Sequence, residues 1–190
     1  MSFIAFTSMF CHGARVVLVH SVVPVKALHQ SKKRLSTILT TQERKVLILG
    51  MLRSVLRALQ GSMIGKVCLV SSDIAIQHLA NEGKVTYLQE RKHRLNFAVE
   101  QGVEWCIRNG AEAVLIIPAD IPRITSEDIN GIIGLVNESK CVIISPSLNG
   151  GTNALLQKPP NVIHANFGPS SCMKHVNQAS REGVLVKFYW

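Results

Sequence analysis

Short apolar runs alternate with amphipathic stretches along most of the chain. Five apolar residues stand in a row at 113–117, and such a run is typical of a strand buried on both faces of a parallel sheet. Further strands are predicted at 15–25, 66–71, 85–88, 141–145, 154–157 and 184–190, with helices near 41–60, 73–80, 96–108, 125–137 and 171–181. This alternation predicts a single-domain α/β sandwich with a mostly parallel central sheet.

Capping signals mark several of the predicted helix starts. Thr40, with Glu43 three residues later, has the pattern of a capping box. Ser72 or Asp73 is expected to cap the second helix, and Asn96 stands where the third helix begins. An asparagine at such a position is usually a cap or an inward-facing polar residue, and contact with a nucleotide base is a less common use.

The composition suits one globular domain. Of the 190 residues, 47% are hydrophobic and 17% are charged, which is ordinary for a chain that buries a core without disulfides or metals. The five cysteines are scattered and include no C-x-x-C pair, so they predict neither a disulfide framework nor a zinc site. A reducing cytoplasm is the expected compartment. No apolar run approaches the ~20 residues that a membrane-spanning helix needs.

The first 14 residues are expected to be an N-terminal extension to a domain at 15–190. The first eleven residues are largely apolar, but no basic residue precedes them, so the segment makes a poor signal peptide. An extension that arises from an upstream start codon matches this composition better than a targeting signal does.

Positive charge is concentrated in one region. The formal net charge is +9, and between Lys26 and Arg57 eight Lys or Arg residues stand against one Glu. Such a region can bind nucleic acid, an anionic membrane or a phosphorylated small molecule. No helix-turn-helix, zinc-finger, RRM or KH signature is present, and aromatic residues for base stacking are few. A phosphorylated small molecule is therefore favoured, with neither nucleic acid nor membrane as a partner.

A single carboxylate, Asp120, follows the central apolar run. Ligands in open α/β sheets bind outside the carboxyl ends of the strands. Asp120 stands at such an end between Pro118 and Pro122, whose φ angles are fixed, and it is predicted to bind a metal–phosphate group. The alternative is structural, with Asp120 as a helix cap or an Asx turn after a core strand.

Three other segments at predicted strand ends suit anionic oxygens. Lys32, Lys33 and Arg34 follow the first strand and can surround a triphosphate, or else form a solvated basic loop. At 149–153 two glycines precede Thr and Asn, which allows close backbone approach to an anion, although a hairpin turn uses the same glycines. At 166–171 a Gly-Pro-Ser-Ser turn opens a helix and either aims N–H groups at an anion or serves as a plain N-cap.

Taken together, four segments resemble the 2-phospho-L-lactate guanylyltransferase family (CofC/FbiD), a branch of the MobA-like nucleotidyltransferases. The family's opening P-x-K…K-S-R-L motif is similar to 24–26 with 32–35, where Lys33 replaces the usual Ser. Its P-A-D-L-P, G-G-T-N-A-L and F-G-P-x-S-F-x-x-H motifs resemble 118–122, 150–155 and 167–175. The resemblance extends over about 16–183 and implies a Rossmann-like sandwich of the nucleotide-diphospho-sugar transferase (glycosyltransferase-A-like) type.

The resemblance implies a guanylyltransferase of coenzyme F420 biosynthesis. The phosphate of a small phosphorylated acid attacks the α-phosphorus of GTP, and pyrophosphate leaves with the help of Mg²⁺. Positioning and electrostatic stabilisation carry such chemistry without a protein nucleophile. The implied catalytic residues are Asp120 as the metal ligand, with Lys26 and Arg34; the implied nucleotide-binding residues are Pro24, Lys26, Lys32, Arg34 and Asn96; the acid is bound by Thr152, Gly168 and Ser171.

Two departures from the family pattern leave alternatives open. His93-Arg94-Leu95-Asn96 replaces a G-G-L-N segment, and this sequence does not contain the acidic D-x-D-T-P-E-D segment that follows the last strand in the family. With Asp120 alone, a two-metal clamp is not expected. The alternatives are an impaired homologue that binds nucleotide or phospho-acid, and a nucleotidyltransferase for another phosphorylated acceptor. The choice among 2-phospho-L-lactate, phosphoenolpyruvate and 3-phosphoglycerate stays open, as does a homodimer.

Overall fold

The computed structural model describes residues 17–28 and 35–190. The N-terminal extension predicted at 1–14 lies outside the described residues, as do Lys32, Lys33 and Arg34 of the basic loop. The strands are β1 (Val19–Pro24), β2 (Val67–Ser71), β3 (Thr86–Gln89), β4 (Ala113–Ile116), β5 (Cys141–Pro146), β6 (Thr152–Lys158) and β7 (Leu185–Phe188). The helices are α1 (Thr41–Gln60), α2 (Ile74–Glu82), α3 (Leu95–Arg108), α4 (Ser126–Gly134) and α5 (Ser171–Arg181).

The strands of the described residues form one sheet with the order β3-β2-β1-β4-β6-β5-β7. β1 pairs in parallel with β2 and β4, β2 pairs in parallel with β3, and β5 does so with β7. In contrast, β6 is antiparallel to both of its neighbours, β4 and β5. The predicted α/β sandwich with a mostly parallel sheet is therefore confirmed.

The order of strand addition reverses at β1. β2 and β3 are added on one side of β1, and β4 then pairs with the other side. The carboxyl ends of β1 and β4 thus flank a topological switch point, where open α/β sheets form their ligand crevice. Because β6 runs against the other strands, its amino end lies at the same edge of the sheet, which we call the carboxyl edge.

Helices cover both faces of the sheet. On one face, α1, α2 and α4 pack over strand residues such as Val23 and Leu115; on the other, α3 and α5 cover residues such as Val22 and Ile116. Neighbouring residues of one strand point to opposite faces, so β4 needs apolar side chains at every position and reads as a continuous apolar run. None of the helices in the described part of the chain has the length and apolarity needed to span a membrane.

The starts of α1 and α2 agree with the predicted caps, whereas the start of α3 does not. The Thr40–Glu43 capping box is present at α1, and Asp73 caps α2. Asn96 is not the cap of α3, because Arg94 occupies the N-cap position and Asn96 lies within the first turn. Its side chain is engaged elsewhere, as described below.

Helix α4 is shorter than predicted, and Lys187 binds the chain that follows it. It ends at Gly134 rather than near 137. Lys187 of β7 donates from Nζ to the carbonyl oxygen of Leu135 (3.0 Å) and to Oδ1 of Asn137. These bonds satisfy carbonyl and amide oxygens at the helix end and fasten the following chain to the edge strand.

The cysteines of the described residues are core groups. Cys68, Cys106, Cys141 and Cys172 are buried and form no disulfide. Burial raises the pKa of the Cys68 thiol and raises that of Cys106 to about 12, so both remain protonated at neutral pH. Their role as small apolar residues agrees with the sequence pattern.

Helix α3 lies very close to β1 at Gly102. A Cβ atom at this position would stand 2.3 Å from Cγ1 of Val22, closer than real Cβ atoms approach. The missing side chain therefore sets the spacing between α3 and the sheet. Since α3 begins near the carboxyl edge, this spacing also places its amino terminus relative to the switch point.

We expect Gly102→Ala to lower the free energy of unfolding by about 1–3 kcal/mol, because the added methyl group must displace Val22 or the helix. Gly50→Ala is the matched control, since Gly50 lies in α1 with open space at its Cβ position. Alanine there should raise the free energy of unfolding by about 0.5–1 kcal/mol. Urea unfolding measures both changes, and equal stability of the two variants would contradict the close packing.

Candidate active site at the carboxyl edge

Lys26 extends from the carboxyl edge directly after β1. The ladder of backbone hydrogen bonds continues past Pro24, since the N–H of Val25 donates to the carbonyl of Val70 (2.9 Å). Pro24 and Val25 are buried, and Lys26 is exposed beyond them. The sheet thus holds the backbone up to the residue whose ammonium group is the candidate phosphate ligand.

The loop that follows Lys26 is fixed by Asp73. Oδ2 of Asp73 accepts from the N–H of Leu28 (3.0 Å), while Oδ1 caps α2 by accepting from the N–H of Ala75 (3.0 Å). One carboxylate therefore serves two elements. The sequence pattern identified Asp73 as a cap only, because its second bond joins residues 45 positions apart and has no local signal.

Asp120 occupies an exposed turn after β4, beside the end of β1. The N–H of Ile117 donates to the carbonyl of Val22 (3.0 Å), which holds the chain in the sheet as far as the turn. Helix α4 begins further along and is capped by Thr125, whose Oγ1 accepts from the N–H of Asp128 (3.1 Å). Asp120 therefore does not cap the helix that follows it.

The donor set of this edge fits a metal ion that is shared with a phosphorylated ligand. Mg²⁺ prefers oxygen donors and is commonly held by one or two carboxylates together with substrate phosphates and water. Asp120 supplies one exposed carboxylate. Nowhere in the described residues do three His, Cys, Asp or Glu side chains come together as an all-protein metal site. The ligand would therefore complete the coordination.

The β5–β6 hairpin and the start of α5 form the other half of the site. Gly150 has a φ of +78°, as the hairpin turn requires, and its carbonyl accepts from the N–H of Cys172 (3.2 Å). Gly168 (φ +135°) and Ser170 (φ +54°) shape the turn into α5. Ser170 occupies the N-cap position, yet its side chain makes no capping hydrogen bond. The hairpin predicted as an alternative is thus present, and it is tied to α5.

Thr152, Ser171 and His175 form a buried polar cluster where the hairpin meets α5. Their exposed fractions are 7%, 1% and 0%. The hydroxyl oxygens of Ser171 and Thr152 are 3.0 Å apart, and Nδ1 of His175 lies 3.2 Å from the Thr152 oxygen. The N–H of Asn166 donates to Nε2 of His175 (2.9 Å). Phe167 packs edge-on against the imidazole with 5.2 Å between ring centroids, so the ring is held on several sides.

The partners of His175 determine its protonation. A backbone N–H only donates, so Nε2 carries a lone pair and the neutral ring has its proton on Nδ1. Nδ1–H therefore donates to the Thr152 hydroxyl oxygen. Burial and, to a smaller extent, the Lys174 ammonium lower the pKa of His175 from 6.5 to about 4, so the ring is neutral at pH 7.

Asn96 connects the amino terminus of α3 to the loop before α5. Its Oδ1 accepts from the N–H of Phe167 (2.8 Å), and its Nδ2 donates to the carbonyl of the same residue (3.4 Å). The contact spans 71 positions of the chain. Asn96 is thus the inward-facing polar residue that the sequence allowed, and it holds the backbone next to Asn166, the partner of His175.

Most of the candidate residues within the described part of the chain meet at this edge. β4 and β6 are neighbours, with Ile116 paired to Leu155, so the turn of Asp120 and the start of β6 lie side by side. Lys32 and Arg34 are outside the described residues. The described candidates at the edge are Pro24, Lys26, Asp120, Thr152, Gly168 and Ser171. A cation, a carboxylate and neutral hydroxyl donors thus stand at the ends of neighbouring strands along one edge, an arrangement suited to two phosphate-bearing ligands.

We expect the protein to lose about 2 kcal/mol of folding stability between pH 7 and pH 5 through His175. Below pH 6.5 the unfolded chain binds a proton at this ring, whereas the folded chain does so only near pH 4, so falling pH favours unfolding. Urea unfolding at several pH values measures the slope. His175→Gln should remove this part of the slope, and His78→Gln, at an exposed histidine of α2, should keep it. Identical slopes for both variants would contradict the assignment.

A solved structure shares the fold. A candidate nucleotide-diphospho-sugar transferase from Desulfovibrio desulfuricans superimposes with a TM-score of 0.74. The match covers 90% of this chain and 79% of that protein, at 14% sequence identity. At this identity the likeness establishes the fold alone. The nucleotide-diphospho-sugar transferase type of sandwich that the sequence led us to expect is confirmed.

Curated relatives are similar over most of the chain. The phosphoenolpyruvate guanylyltransferase of Rubrobacter xylanophilus is 39% identical over 170 residues, which cover 89% of this chain and 83% of the relative. The 2-phospho-L-lactate guanylyltransferase of a Methanocaldococcus species is 36% identical over 169 residues, which cover 88% and 71%. The family model described as guanylyl transferase CofC like matches residues 19–190. This chain therefore belongs to the CofC-like guanylyl transferase family.

Proposed function

We propose that this chain transfers GMP from GTP to a small phosphorylated carboxylic acid. An oxygen of the acid's phosphate forms a bond to the α-phosphorus of GTP. The bond from that phosphorus to the oxygen that bridges to the β-phosphate breaks, and pyrophosphate leaves. The observation that carries the proposal is the placement of Lys26, Asp120 and the Thr152–Ser171 hydroxyls at the ends of neighbouring strands along one sheet edge. Membership of the family supports the same reaction.

The nucleotide is assigned to the switch point between β1 and β4. Pro24 ends β1 in a buried position, and Lys26 follows as an exposed cation that can neutralise phosphate oxygens. Lys32 and Arg34 continue the same segment of sequence and are assigned to the triphosphate by the family motif. We assign Asn96 an indirect role in nucleotide binding, because both its amide oxygen and its amide nitrogen already bind the Phe167 backbone.

Asp120 is assigned as the protein ligand of a Mg²⁺ ion that the triphosphate also binds. When bound, such an ion neutralises the negative charge that develops on the phosphate oxygens during transfer. Asp120 is suited to hold it because the β4 ladder fixes the backbone up to Ile117, and the side chain lies exposed in the turn beyond. Lys26 follows the neighbouring strand, so protein charges of both signs flank the same crevice.

The acid is assigned to Thr152, Gly168 and Ser171. Thr152 and Ser171 bring hydroxyl groups, and the first turn of α5 brings the partial positive charge of a helix amino terminus. Apart from Gly168 itself and its two chain neighbours, no residue has a heavy atom within 4 Å of the Cβ position of Gly168, so its backbone is open to close approach. Neutral donors can orient a phosphorylated acid without the strong charge pairing that would weaken its phosphate as a nucleophile.

Several further assignments rest on the family rather than on this site. Relatives named for phosphoenolpyruvate and 2-phospho-L-lactate support a carboxylic acid over a sugar phosphate or a molybdopterin as the acceptor. We place the reaction in coenzyme F420 biosynthesis on the same ground. The buried, unbridged cysteines suit a reducing compartment, and we infer a cytoplasmic location from them.

Asp120→Asn should lower turnover by about 100-fold or more, because it removes the metal-binding charge at the crevice. Asp120 is exposed, so the substitution opens no cavity in the core and the variant should still fold. Glu182→Gln is the matched control, since it also removes one exposed carboxylate but lies at the opposite end of α5 from the site. Pyrophosphate release and urea unfolding of both variants provide the measurements. Wild-type turnover in Asp120→Asn would contradict its role.

The reaction itself is tested by pyrophosphate release from GTP and Mg²⁺ with each of three acids: 2-phospho-L-lactate, phosphoenolpyruvate and 3-phosphoglycerate. We expect release with at least one of them and none without an acid. The same assay with CTP or ATP tests the choice of nucleotide. Binding of GTP without release in the presence of any acid would contradict a transferase and favour a nucleotide-binding homologue.

A further inference from the structure

The Thr152–Ser171 pair holds one hydroxyl hydrogen more than its internal contacts use. Each residue brings one O–H, and a single hydrogen bond of 3.0 Å joins the two oxygens. The third contact, from His175, brings its own hydrogen on Nδ1. Across the described residues neither hydroxyl has another hydrogen-bond partner. Whichever hydroxyl donates to the other, one O–H hydrogen remains for a ligand.

We propose that His175 is a positioning residue that makes the Thr152–Ser171 pair a hydrogen-bond donor to the phosphorylated acid. The inference rests on the proposed function, and it assigns to His175 a part that is distinct from direct contact with the acid. By donating to the Thr152 oxygen, the Nδ1–H group occupies one lone pair of that oxygen. Of the two hydroxyl hydrogens, one must then lie between Thr152 and Ser171, and the other is left to donate to the acid.

The direction of this donation matters because a free hydroxyl can turn either way. If His175 accepted instead, the Thr152 hydrogen would point at the ring, and the pair would be left with a single O–H for its internal contact. It would then present only lone pairs to a carboxylate or phosphate oxygen, and the two would repel each other. A hydrogen-bond donor that is oriented before the ligand arrives does not have to be reoriented when the ligand binds.

The surroundings keep His175 in the required state. The N–H of Asn166 faces Nε2, which excludes the opposite tautomer and also the doubly protonated ring. Asn96 fixes the neighbouring Phe167 backbone through two hydrogen bonds, and the Phe167 ring packs edge-on against the imidazole. Because the cluster is buried, water offers little alternative bonding to its members.

Two neutral substitutions test the two hydrogen bonds of His175 one at a time. The amide of asparagine lies near the position of Nδ1, so His175→Asn keeps a donor for Thr152 and loses the contact to Asn166. The amide of glutamine reaches the position of Nε2, so His175→Gln keeps an acceptor for Asn166 and loses the donor to Thr152. Each variant therefore loses one of the two hydrogen bonds that His175 makes. A merely structural role would therefore affect both in a similar way.

The expected result is a difference in the KM for the acid. In His175→Gln this KM should rise by about tenfold or more, the effect of losing one hydrogen bond to a charged group. In His175→Asn it should change by less than about threefold, within the cost of a neutral hydrogen bond. The KM for GTP should stay within about twofold in both variants, since no nucleotide contact is touched. An equal rise in both variants would overturn the inference.

A double-mutant cycle tests whether His175 acts through Thr152. Thr152→Val removes the hydroxyl that receives the Nδ1–H bond and should itself raise the KM for the acid. If His175 acts through that hydroxyl, adding His175→Gln to Thr152→Val should raise the KM no further. Effects of the two substitutions that simply multiply would overturn the inference. Urea unfolding of each variant confirms that the protein measured is folded.

The tautomer of His175 can be determined by NMR, without an activity assay. Long-range ¹H–¹⁵N NMR of the full chain at pH 7 should show His175 protonated at Nδ1 and unprotonated at Nε2. The opposite tautomer would overturn the inference even if the enzyme is active. Failure of the proposed function has a different signature, because the wild-type chain would then release no pyrophosphate with GTP and any of the three acids. An active wild-type chain with equal His175→Asn and His175→Gln variants would overturn the role of His175 alone.

Discussion

The backbone hydrogen bonds on the two sides of β1 hold the site together. On one side the N–H of Val25 donates to the carbonyl of Val70, and on the other the N–H of Ile117 donates to the carbonyl of Val22. These bonds lie in the covered interior of the sheet, where an unpaired backbone group is costly. They carry the chain in a fixed direction up to Lys26 and Pro118. The positions of the candidate phosphate and metal ligands therefore depend on backbone hydrogen bonds whose loss would destabilise the sheet.

A second constraint is the need to satisfy polar groups that are buried behind the hairpin. Asn96 pairs with the backbone of Phe167, the N–H of Asn166 reaches His175, and His175 reaches Thr152. Each bond removes an unpaired polar group from the interior, so the network stabilises the fold, and the same contacts fix the hydroxyl groups that we propose to bind the acid. A neutral imidazole suits this position because it brings one donor and one acceptor without a buried charge.

The sequence predicts those features that are encoded locally. The capping box of Thr40 and Glu43, the apolar run of β4 and the carboxylate after it can each be recognised within a few residues, and the motifs identify the family. The contacts around the β5–β6 hairpin and at the end of α4 are different. Asn96 is 71 positions from Phe167, and the chain after α4 is bound by Lys187, which donates to a carbonyl 52 positions away. Such pairs carry no local pattern, so only the fold shows that Asn96 faces inward and that α4 stops early.

The antiparallel setting of β6 divides the sheet into two sectors of different construction. The sector β3-β2-β1-β4 is linked by helical crossovers and carries the nucleotide candidates, whereas β5 and β6 are joined by a tight hairpin and carry the acid candidates together with α5. The sectors join along the β4–β6 ladder, whose pairs are apolar except for Gln157. Substitutions in the hairpin or in α5 therefore act on the part of the sheet that carries the proposed acid ligands, and they leave the strand pairings of β1 with β2 and β4 untouched.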